Sequence, residues 1–364
     1  MRRRHLEALR PVCPVCRAPG DEAPLEVGRV EREAEGDLLE GTLVCARARC
    51  QREFPVLDGV PLIVPDVRSF VAENVFALMA RDDLSETLEG ALGDCAGPGS
   101  WLDVTRQHLS SYAWDHYADL DPAEEQPPHG DPPGGLRRVL AAGLALAPPP
   151  PPGPALDAGC AVGRTAFELA ALPGREDELV LGVDLNVGML RLASRVLRQG
   201  VVRYPRRRVG VVYDRREFAA RLPGAERVDF WCCDATALPL PAGTFGLATS
   251  LHVLDCIAAP VEHLAALGRA LRPGGLAVLA APYDWATSVT PLDRWLGGHS
   301  QRAPHGGASE VAVRHLLTGE RARALGLELL AEDDDVPWAV RMHARSVVRY
   351  SAHVVAARAA GGAA

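Results

Sequence analysis

Residues 155–280 alternate short apolar runs of strand length with segments of helical periodicity, and this alternation constrains the fold more than any other feature. Two parallel strands need a long crossover between them, which is usually a helix. The alternation therefore predicts a mostly parallel, doubly wound α/β sheet. Such a sheet binds ligands beyond the carboxyl ends of its strands, so the residues that follow each predicted strand are the candidate binding residues.

The first predicted strand leads into a turn that contains two glycines and then into a helix. The strand ends near Asp157, the glycines are Gly159 and Gly163, and Ala161 lies between them. A dinucleotide pyrophosphate would favour three glycines here, so this turn favours a ligand without a phosphate. These four residues, with Arg164 at the start of the helix, are the first candidate cofactor-binding residues.

Acidic residues also follow the second and third predicted strands. Asp184 precedes Leu185 at the end of the second strand, and Asp234 precedes Ala235 at the end of the third. A carboxylate at the end of the second strand supplies the acceptors that a ribose diol requires, although a nicotinamide dehydrogenase would show this acid too. Taken singly, each acid is more often a cap or turn residue than a ligand. Ser250, near the end of the fourth predicted strand, completes the cofactor-binding set.

The order of these features resembles that of class I S-adenosylmethionine-dependent methyltransferases. Residues 155–280 contain Asp-x-Gly-x-x-x-Gly, the ribose acid, the adenine acid and Leu-Arg-Pro-Gly-Gly in the usual sequence of that family. The resemblance implies a Rossmann-like methyltransferase fold, expected over residues 136–364, with S-adenosylmethionine as cofactor. It also implies that Asp157 faces the ammonium group of the cofactor, Asp184 its ribose and Asp234 the adenine amine.

A narrower resemblance extends over about residues 101–360. The first turn and the stretches 111–117, 281–285 and 335–341 are similar to the methyltransferase domain that ends ovothiol-biosynthesis enzymes. In those enzymes the domain methylates an imidazole nitrogen of 5-thiohistidine. The resemblance implies methyl transfer to an imidazole-type nitrogen of a small molecule. This sequence contains no counterpart of the sulfoxide-synthase domain that installs the sulfur, so a thiolated substrate would have to come from elsewhere.

An imidazole acceptor needs a group that takes or orients its ring proton. The candidates on the substrate side are Tyr117, Tyr204, Tyr283 and Asp284, with Arg341 as a clamp for a substrate carboxylate. For each tyrosine the alternative is a core residue with a satisfied hydroxyl. His252, after the fourth predicted strand, is a further residue that could line the pocket, but a single histidine is more often structural.

Four cysteines near the start form two close pairs, Cys13 with Cys16 and Cys45 with Cys50. This spacing matches a structural, tetrahedral Zn²⁺ site. A redox pair is the competing interpretation of the first two, but it would not need the second pair. With the hairpin signal at residues 54–61, the module resembles Trm112-like zinc ribbons, which activate methyltransferases. We therefore expect a zinc-ribbon module over residues 1–66 and a helical connection over residues 67–135.

The composition argues against a nucleic-acid partner. The net charge is -8, and the 39 basic residues are all arginine, whereas nucleic-acid-binding domains are usually basic. There is no apolar run long enough to cross a membrane and no signal-peptide pattern, which predicts a cytoplasmic protein without a membrane partner. Two alternatives to a small-molecule enzyme stay open: a methyltransferase acting on rRNA, tRNA or a translation protein, and a non-catalytic scaffold that binds S-adenosylmethionine.

Overall fold

A computed structural model of the chain describes residues 1–17, 22–124 and 132–360. The helices are α1 (Arg3–Leu9), α2 (Val67–Met79), α3 (Glu86–Ala96), α4 (Trp101–Tyr117), α5 (Gly135–Ala145), α6 (Arg164–Ala170), α7 (Val187–Gln199), α8 (Pro260–Ala270), α9 (Ser309–Leu316) and α10 (Gly319–Leu325). The strands are β1 (Leu25–Ala34), β2 (Asp37–Cys45), β3 (Glu53–Leu57), β4 (Val60–Ile63), β5 (Ala155–Ala158), β6 (Val180–Asp184), β7 (Val201–Val209), β8 (Val212–Ala219), β9 (Val228–Cys233), β10 (Phe245–Leu251), β11 (Leu271–Ala281), β12 (Leu327–His343) and β13 (Ser346–Ala359).

Seven strands form a doubly wound sheet in the order β9-β6-β5-β10-β11-β13-β12. The pairs β9–β6, β6–β5, β5–β10 and β10–β11 are parallel, and β13 runs antiparallel to both of its neighbours. The predicted Rossmann-like, mostly parallel α/β fold is confirmed. The strand order reverses beside β5, and such a reversal opens a crevice at the carboxyl ends of the strands where ligands bind.

Helices cover both faces of this sheet, so side chains that alternate along each strand enter two separate cores. On one face Val139 of α5, Phe167 of α6 and Leu190 of α7 are buried. On the other face Leu264 of α8 and Leu325 of α10 are buried. Strands buried on both sides are mostly apolar on both faces, which explains why β9 and β10 are near-continuous apolar runs rather than alternating ones, with Asp229 of β9 as a charged exception.

The N-terminal strands β1–β4 form an antiparallel meander that continues the same sheet. Asp58 and Gly59 both have positive φ, of 50° and 78°, and make the tight turn between β3 and β4 that the sequence predicts. On its other side β4 pairs in parallel with β9, so that Leu62 lies beside Cys232. The result is one sheet of eleven strands. The predicted boundary at residue 66 therefore falls just after a strand that the two parts share.

The buried Asp229 of β9 fastens the N-terminal segment to this edge of the sheet. Its Oδ2 accepts hydrogen bonds from the backbone N–H of Arg2 at 2.9 Å and from Nε1 of Trp231 at 2.8 Å. His5 of α1 is also buried, with Nε2 3.0 Å from the carbonyl oxygen of Arg227. A buried carboxylate is costly without such partners, so the segment before β1 is part of the packing of β9.

The helical connection expected over residues 67–135 contains α2, α3 and α4. Near the C-terminus α10 follows closely after α9, and Gly319, the first residue of α10, adopts a φ of 63°. The long strands β12 and β13 pair as an antiparallel hairpin at the edge of the sheet. Strands β7 and β8 pair with each other as a separate hairpin.

Residues 125–131, which belong to the expected helical connection over residues 67–135, lie outside the described residues. Within the parts of the chain that the structure describes, no helix is both long and apolar enough to span a membrane.

Candidate functional site

A cavity of about 410 Å³ lies at the carboxyl ends of β5, β6, β9 and β10, where the strand order reverses. Its walls come from the turn after β5, the residues after β6, β9 and β10, and the facing sides of α4 and β12. The lining residues are His108, Tyr112, Asp115, His116, Leu136, Asp157, Gly159, Ala161, Thr165, Asp184, Leu185, Asn186, Met189, Cys233, Asp234, Ala235, Leu251, His252, Val253, Cys256, Ile257, Val289 and Trp338.

The turn after β5 needs its glycines for close packing. Gly159 has a φ of 78°, and a Cβ atom there would lie 2.3 Å from Cγ2 of Val253. Gly163 has a φ of 91°, and its Cβ would lie 2.6 Å from the ring of Phe230. Gly159 lines the cavity, whereas Gly163 packs against β9 behind it. Ala161 has a φ of 48°, a conformation that costs a residue with a side chain about 1–2 kcal/mol.

The Asp157 carboxylate has one satisfied oxygen and one orphaned oxygen. Thr249 of β10 donates a hydrogen bond to Oδ1 at 2.9 Å, whereas Oδ2 is buried and has no partner. Burial raises the pKa of Asp157 to about 7. A buried, unpaired carboxylate oxygen in a cavity wall fits a cationic partner, because an ammonium group would both pair with it and favour its charged form.

Asp184 and Asp234 stand at the ends of the next two strands and line the same cavity. Asp184 accepts hydrogen bonds from the backbone N–H groups of Asn186 at 2.7 Å and Ala161 at 2.9 Å, and burial raises its pKa. Asp234 accepts from the backbone and hydroxyl groups of Thr236 through Oδ1. A carboxylate offers about four lone-pair sites, so both side chains retain acceptor capacity for a ligand.

Three residues of the expected cofactor set lie outside the cavity, namely Gly163, Arg164 and Ser250, while Leu185 and Ala235 line it. Ser250 is buried, and its hydroxyl is 2.8 Å from Nε2 of His263. Arg164 is buried as well, and its guanidinium makes two hydrogen bonds to the Asp119 carboxylate, at 3.0 and 3.1 Å. The first contact joins β10 to α8, and the second joins α6 to the segment that follows α4.

Tyr117 and Tyr204, two of the tyrosines expected on the substrate side, are buried outside this cavity. Tyr117 donates a hydrogen bond to the carbonyl oxygen of Val162 at 2.7 Å behind the first turn. The Tyr204 hydroxyl is buried without a partner, and the residue lines a neighbouring cavity of about 540 Å³ between α2, α3, α4 and α7. Neither residue lines the cavity that holds the three aspartates.

The remaining substrate-side candidates also lie beyond that cavity. The Tyr283 hydroxyl is 2.7 Å from Nδ1 of His353, and Asp284 accepts a hydrogen bond from the Tyr350 hydroxyl at 2.9 Å. Arg341 on β12 is partly buried, which lowers its pKa, and one of its terminal nitrogens has no partner.

His252, Trp338 and Asp115 form a further part of the cavity wall. The sequence interpretation named His252 as a residue that could line the pocket, and it does line the cavity, but Trp338 and Asp115 were not singled out. The rings of His252 and Trp338 are stacked, with centroids 3.6 Å apart and planes within 8°. Nε1 of Trp338 donates to Oδ2 of Asp115 at 2.9 Å, and the backbone N–H of Leu136 donates to Oδ1 at 3.2 Å. The stretches 111–117 and 335–341 contain Asp115 and Trp338, and these two stretches were the available signal.

The four N-terminal cysteines come together in the meander. All four Sγ atoms lie within 4.8 Å of one another, with Cys13 and Cys50 4.0 Å apart and Cys16 and Cys45 3.8 Å apart. A tetrahedral site with Zn–S bonds of about 2.3 Å places its sulfur atoms about 3.8 Å apart. The thiols are not joined as disulfides. The donor set and its spacing therefore fit Zn²⁺.

Comparisons with known proteins identify the family of the central part of the chain. The family described as "Methyltransferase domain" matches residues 156–279. No curated protein matches the chain.

Three solved structures illustrate the resemblance. The phosphoethanolamine N-methyltransferase 2 of Haemonchus contortus is 26% identical over 41% of this chain, at a TM-score of 0.31. That match spans 29% of the length of the Haemonchus enzyme. A methyltransferase of Methanosarcina mazei is 19% identical over 58% of this chain and 94% of its own, at 0.37. The [4+2]-cyclase SpnF is 17% identical over 75% and 97%, at 0.42.

The matched segment begins in β5 and ends in β11. It therefore includes the turn after β5 and the carboxyl ends of β6, β9 and β10, with Asp157, Asp184 and Asp234. Residues 156–279 of this chain are a class I, S-adenosylmethionine-dependent methyltransferase domain.

Proposed function

We propose that this protein transfers a methyl group from S-adenosylmethionine to a heteroatom of a small molecule, and that the acceptor is an imidazole-type nitrogen such as that of a thiohistidine. One observation carries the proposal: Asp157, Asp184 and Asp234, from the ends of three adjacent parallel strands, line a single cavity.

The residues present fit the cofactor. The orphaned Oδ2 of Asp157 matches its ammonium group, Asp184 its ribose diol and Asp234 its adenine amine. Gly159 allows close approach of the backbone at the methionine end. S-adenosylmethionine supplies a sulfonium methyl group that is open to in-line displacement, and the chain has to align the acceptor and exclude water. Burial of the walls, with Leu251 and Val253 among them, provides that exclusion.

The lining of the cavity supports a small acceptor over RNA. Among the lining residues in the described part of the chain, four are aspartates and none is an arginine. Recognition of RNA depends on cationic contacts to phosphates, and such contacts are missing from these walls. The clamp expected of Arg341 gains no support, because this side chain does not line the cavity. The imidazole-type acceptor rests on the similarity of residues 101–360 to the ovothiol enzymes.

We further propose that Cys13, Cys16, Cys45 and Cys50 hold a structural Zn²⁺ in a Trm112-like ribbon over residues 1–66. The sulfur–sulfur distances support this assignment. The metal would stabilise a module that is too small to build a large core of its own. Four protein ligands would leave no open coordination position, which is typical of a structural zinc site rather than a catalytic one.

One experiment separates the small-molecule methyltransferase from its two alternatives, a methyltransferase acting on RNA or a translation protein and a non-catalytic scaffold that binds S-adenosylmethionine. Purified protein is incubated with methyl-labelled S-adenosylmethionine and, in separate reactions, with histidine, 5-thiohistidine and ribosomes stripped of bound factors. We expect label on a small molecule and none on RNA or protein. Label on ribosomal components alone would overturn the small-molecule acceptor. Cofactor binding by calorimetry without transfer to any acceptor would favour the scaffold.

A further inference from the structure

His252 has a backbone conformation that the fold imposes. Its φ is 57°, in the left-handed region that residues with side chains seldom occupy, and its backbone N–H donates to the carbonyl oxygen of Ala280 at 2.7 Å. The next residue, Val253, packs against Gly159 in the turn after β5. Strained conformations of this kind cluster at binding and active sites. The strain here aims one side chain from the end of β10 at the cavity.

The imidazole of His252 is unsatisfied. Both ring nitrogens are buried and have no hydrogen-bond partner. The other buried histidine of this region, His263, is fully used, because Nε2 lies 2.8 Å from the Ser250 hydroxyl and Nδ1 lies 3.1 Å from the carbonyl oxygen of Ala235. Buried polar side chains are paired in the large majority of cases. Two free nitrogens in a cavity wall therefore indicate a ligand that supplies the missing partner.

The ring is held in a fixed orientation. It stacks flat on Trp338 at a centroid distance of 3.6 Å, and Trp338 stacks in turn on Tyr350 at 4.9 Å. The hydrogen bond from Trp338 to the buried Asp115 prevents the indole from turning. A stacked ring can rotate little out of its plane, so the directions of its two nitrogens are set before any ligand binds.

The chemistry of this wall narrows the type of ligand. Burial lowers the pKa of His252 to about 3, so the ring is neutral near pH 7, with one nitrogen donating and the other accepting. No arginine in the described residues lines the cavity to balance an anionic nucleophile. The ligand group that matches this neutral ring is itself neutral and carries both an N–H or O–H donor and a lone pair.

We propose that His252 binds the methyl acceptor, by accepting a hydrogen bond from an N–H or O–H of a neutral acceptor group through one ring nitrogen. This bond turns the lone pair of the acceptor toward the cofactor's methyl group. The inference rests on the proposed function, and it assigns the acceptor side of the same cavity. An imidazole ring has this combination, a donor N–H on one nitrogen and a lone pair on the other.

The direct test is the NMR signal of the His252 ring in ¹⁵N-histidine-labelled protein. His252→Asn identifies the signal by its loss, and asparagine tolerates a positive φ. The protein is loaded with S-adenosylhomocysteine, and then imidazole, histidine and 5-thiohistidine are added in turn. We expect the His252 nitrogens to shift with at least one of these probes and the His263 nitrogens to stay in place. No movement of His252 with any of the three would overturn the inference.

Kinetics give the second readout once an acceptor is methylated. His252→Phe keeps the stack on Trp338 but has no ring nitrogen, so we expect kcat/KM for the acceptor to fall about 100-fold. The amide group of asparagine donates and accepts hydrogen bonds, so kcat/KM for the acceptor should be about ten-fold higher in His252→Asn than in His252→Phe. Affinity for S-adenosylhomocysteine should stay within about two-fold in both variants.

The two proposals fail in different ways. Wild-type levels of kcat/KM in His252→Phe would overturn the role of His252 and leave the methyltransferase function intact. A wild-type protein that binds no S-adenosylhomocysteine by calorimetry would overturn the proposed function, and the assignment of His252 with it.

Discussion

The backbone N–H of Ala161 donates a 2.9 Å hydrogen bond to the carboxylate of Asp184. This bond joins the turn after β5 to the end of β6, and it holds Ala161 at the positive φ that a glycine would adopt more readily. The residue expected to bind the ribose thus also shapes the turn that receives the rest of the cofactor.

Asp184→Asn should therefore weaken cofactor binding beyond the loss of one ligand contact. A hydrogen bond to a charged group contributes about 1.5–3 kcal/mol, so we expect the Kd for S-adenosylhomocysteine to rise about 10- to 100-fold. Titration calorimetry measures it. Asp94→Asn is the matched control, since Asp94 is exposed on α3. An unchanged Kd in Asp184→Asn would show that the ribose lies elsewhere.

Cofactor affinity should depend on the ionisation of Asp157. Burial raises the pKa of this group to about 7, so the free protein holds it mostly protonated at lower pH. An ammonium ligand prefers the carboxylate, and affinity should rise up to about ten-fold per pH unit below that pKa. Calorimetry with S-adenosylhomocysteine between about pH 5.5 and about pH 7.5 keeps the α-ammonium protonated.

Asp157→Asn removes the titrating group, so its affinity should be flat over the same range. A slope in that variant equal to the wild-type slope would assign the pH dependence to another residue. The raised pKa of Asp157 also affects the folding stability of the protein without ligand, and this effect changes with pH in the opposite direction. Because the folded-state pKa lies above the unfolded value of about 3.9, stability falls as pH rises from about 4 to about 7.

Purified protein should contain about one zinc per chain. Cys45→Ser removes one of four ligands, so we expect metal content to fall well below one per chain and the melting temperature to drop. Cys95→Ser is the matched control, because Cys95 is an exposed free thiol on α3. Metal analysis and thermal denaturation check both variants. A full complement of zinc in Cys45→Ser would place the metal on a different donor set.

Gly159→Ala should destabilise the protein by two separable effects. Its Cβ would lie 2.3 Å from Val253, and its φ of 78° is strained for alanine. We expect a loss of about 2–4 kcal/mol in urea unfolding, from overpacking and from backbone strain. Adding Val253→Ala should relieve the steric part of the Gly159→Ala loss. Gly90→Ala, on a helix with open space around the new methyl group, should be neutral or slightly stabilising.

Trp338→Phe should reveal the cost of an unpaired Asp115. The ring stack on His252 is retained, but Oδ2 of the buried Asp115 loses its donor. A loss of about 1–3 kcal/mol follows from stranding a buried acceptor. Tyr350→Phe, which removes a solvent-exposed hydrogen bond to Asp284 and keeps the stack, should change stability by about 0.5 kcal/mol or less. Equal effects in the two variants would argue against the Asp115 hydrogen bond.

The cofactor half of the site was accessible from the sequence because it depends on local order. Each aspartate follows an apolar run directly, and parallel strands bring such positions together wherever the sheet forms. His252 obeys the same rule, because it comes directly after β10. Its neighbours Trp338 and Asp115 lie on β12 and α4, and only the tertiary packing of these elements brings them to His252.

The tyrosines expected on the substrate side show where the sequence was not sufficient to place a side chain. Tyr117 directly follows the cavity-lining His116 on α4, but its side chain faces the core and its hydroxyl donates to the carbonyl oxygen of Val162. Which face of α4 turns inward is set by packing against α6 and β7, and a short matching stretch does not encode it. The pairing of β4 with β9 was likewise invisible to local patterns, although the four residues of β4 are all buried.

The pairing of β4 with β9 affects how the chain folds during its synthesis. Leu62 and Cys232 are about 170 residues apart in sequence, and chains fold from the N-terminus as they leave the ribosome. The cysteine module is synthesised before β9, and β4 keeps an unpaired strand edge until residues 228–233 emerge. A bare edge is a template for pairing with other chains. Slow elongation or a stalled ribosome between the two segments would therefore expose nascent chains to aggregation through β4.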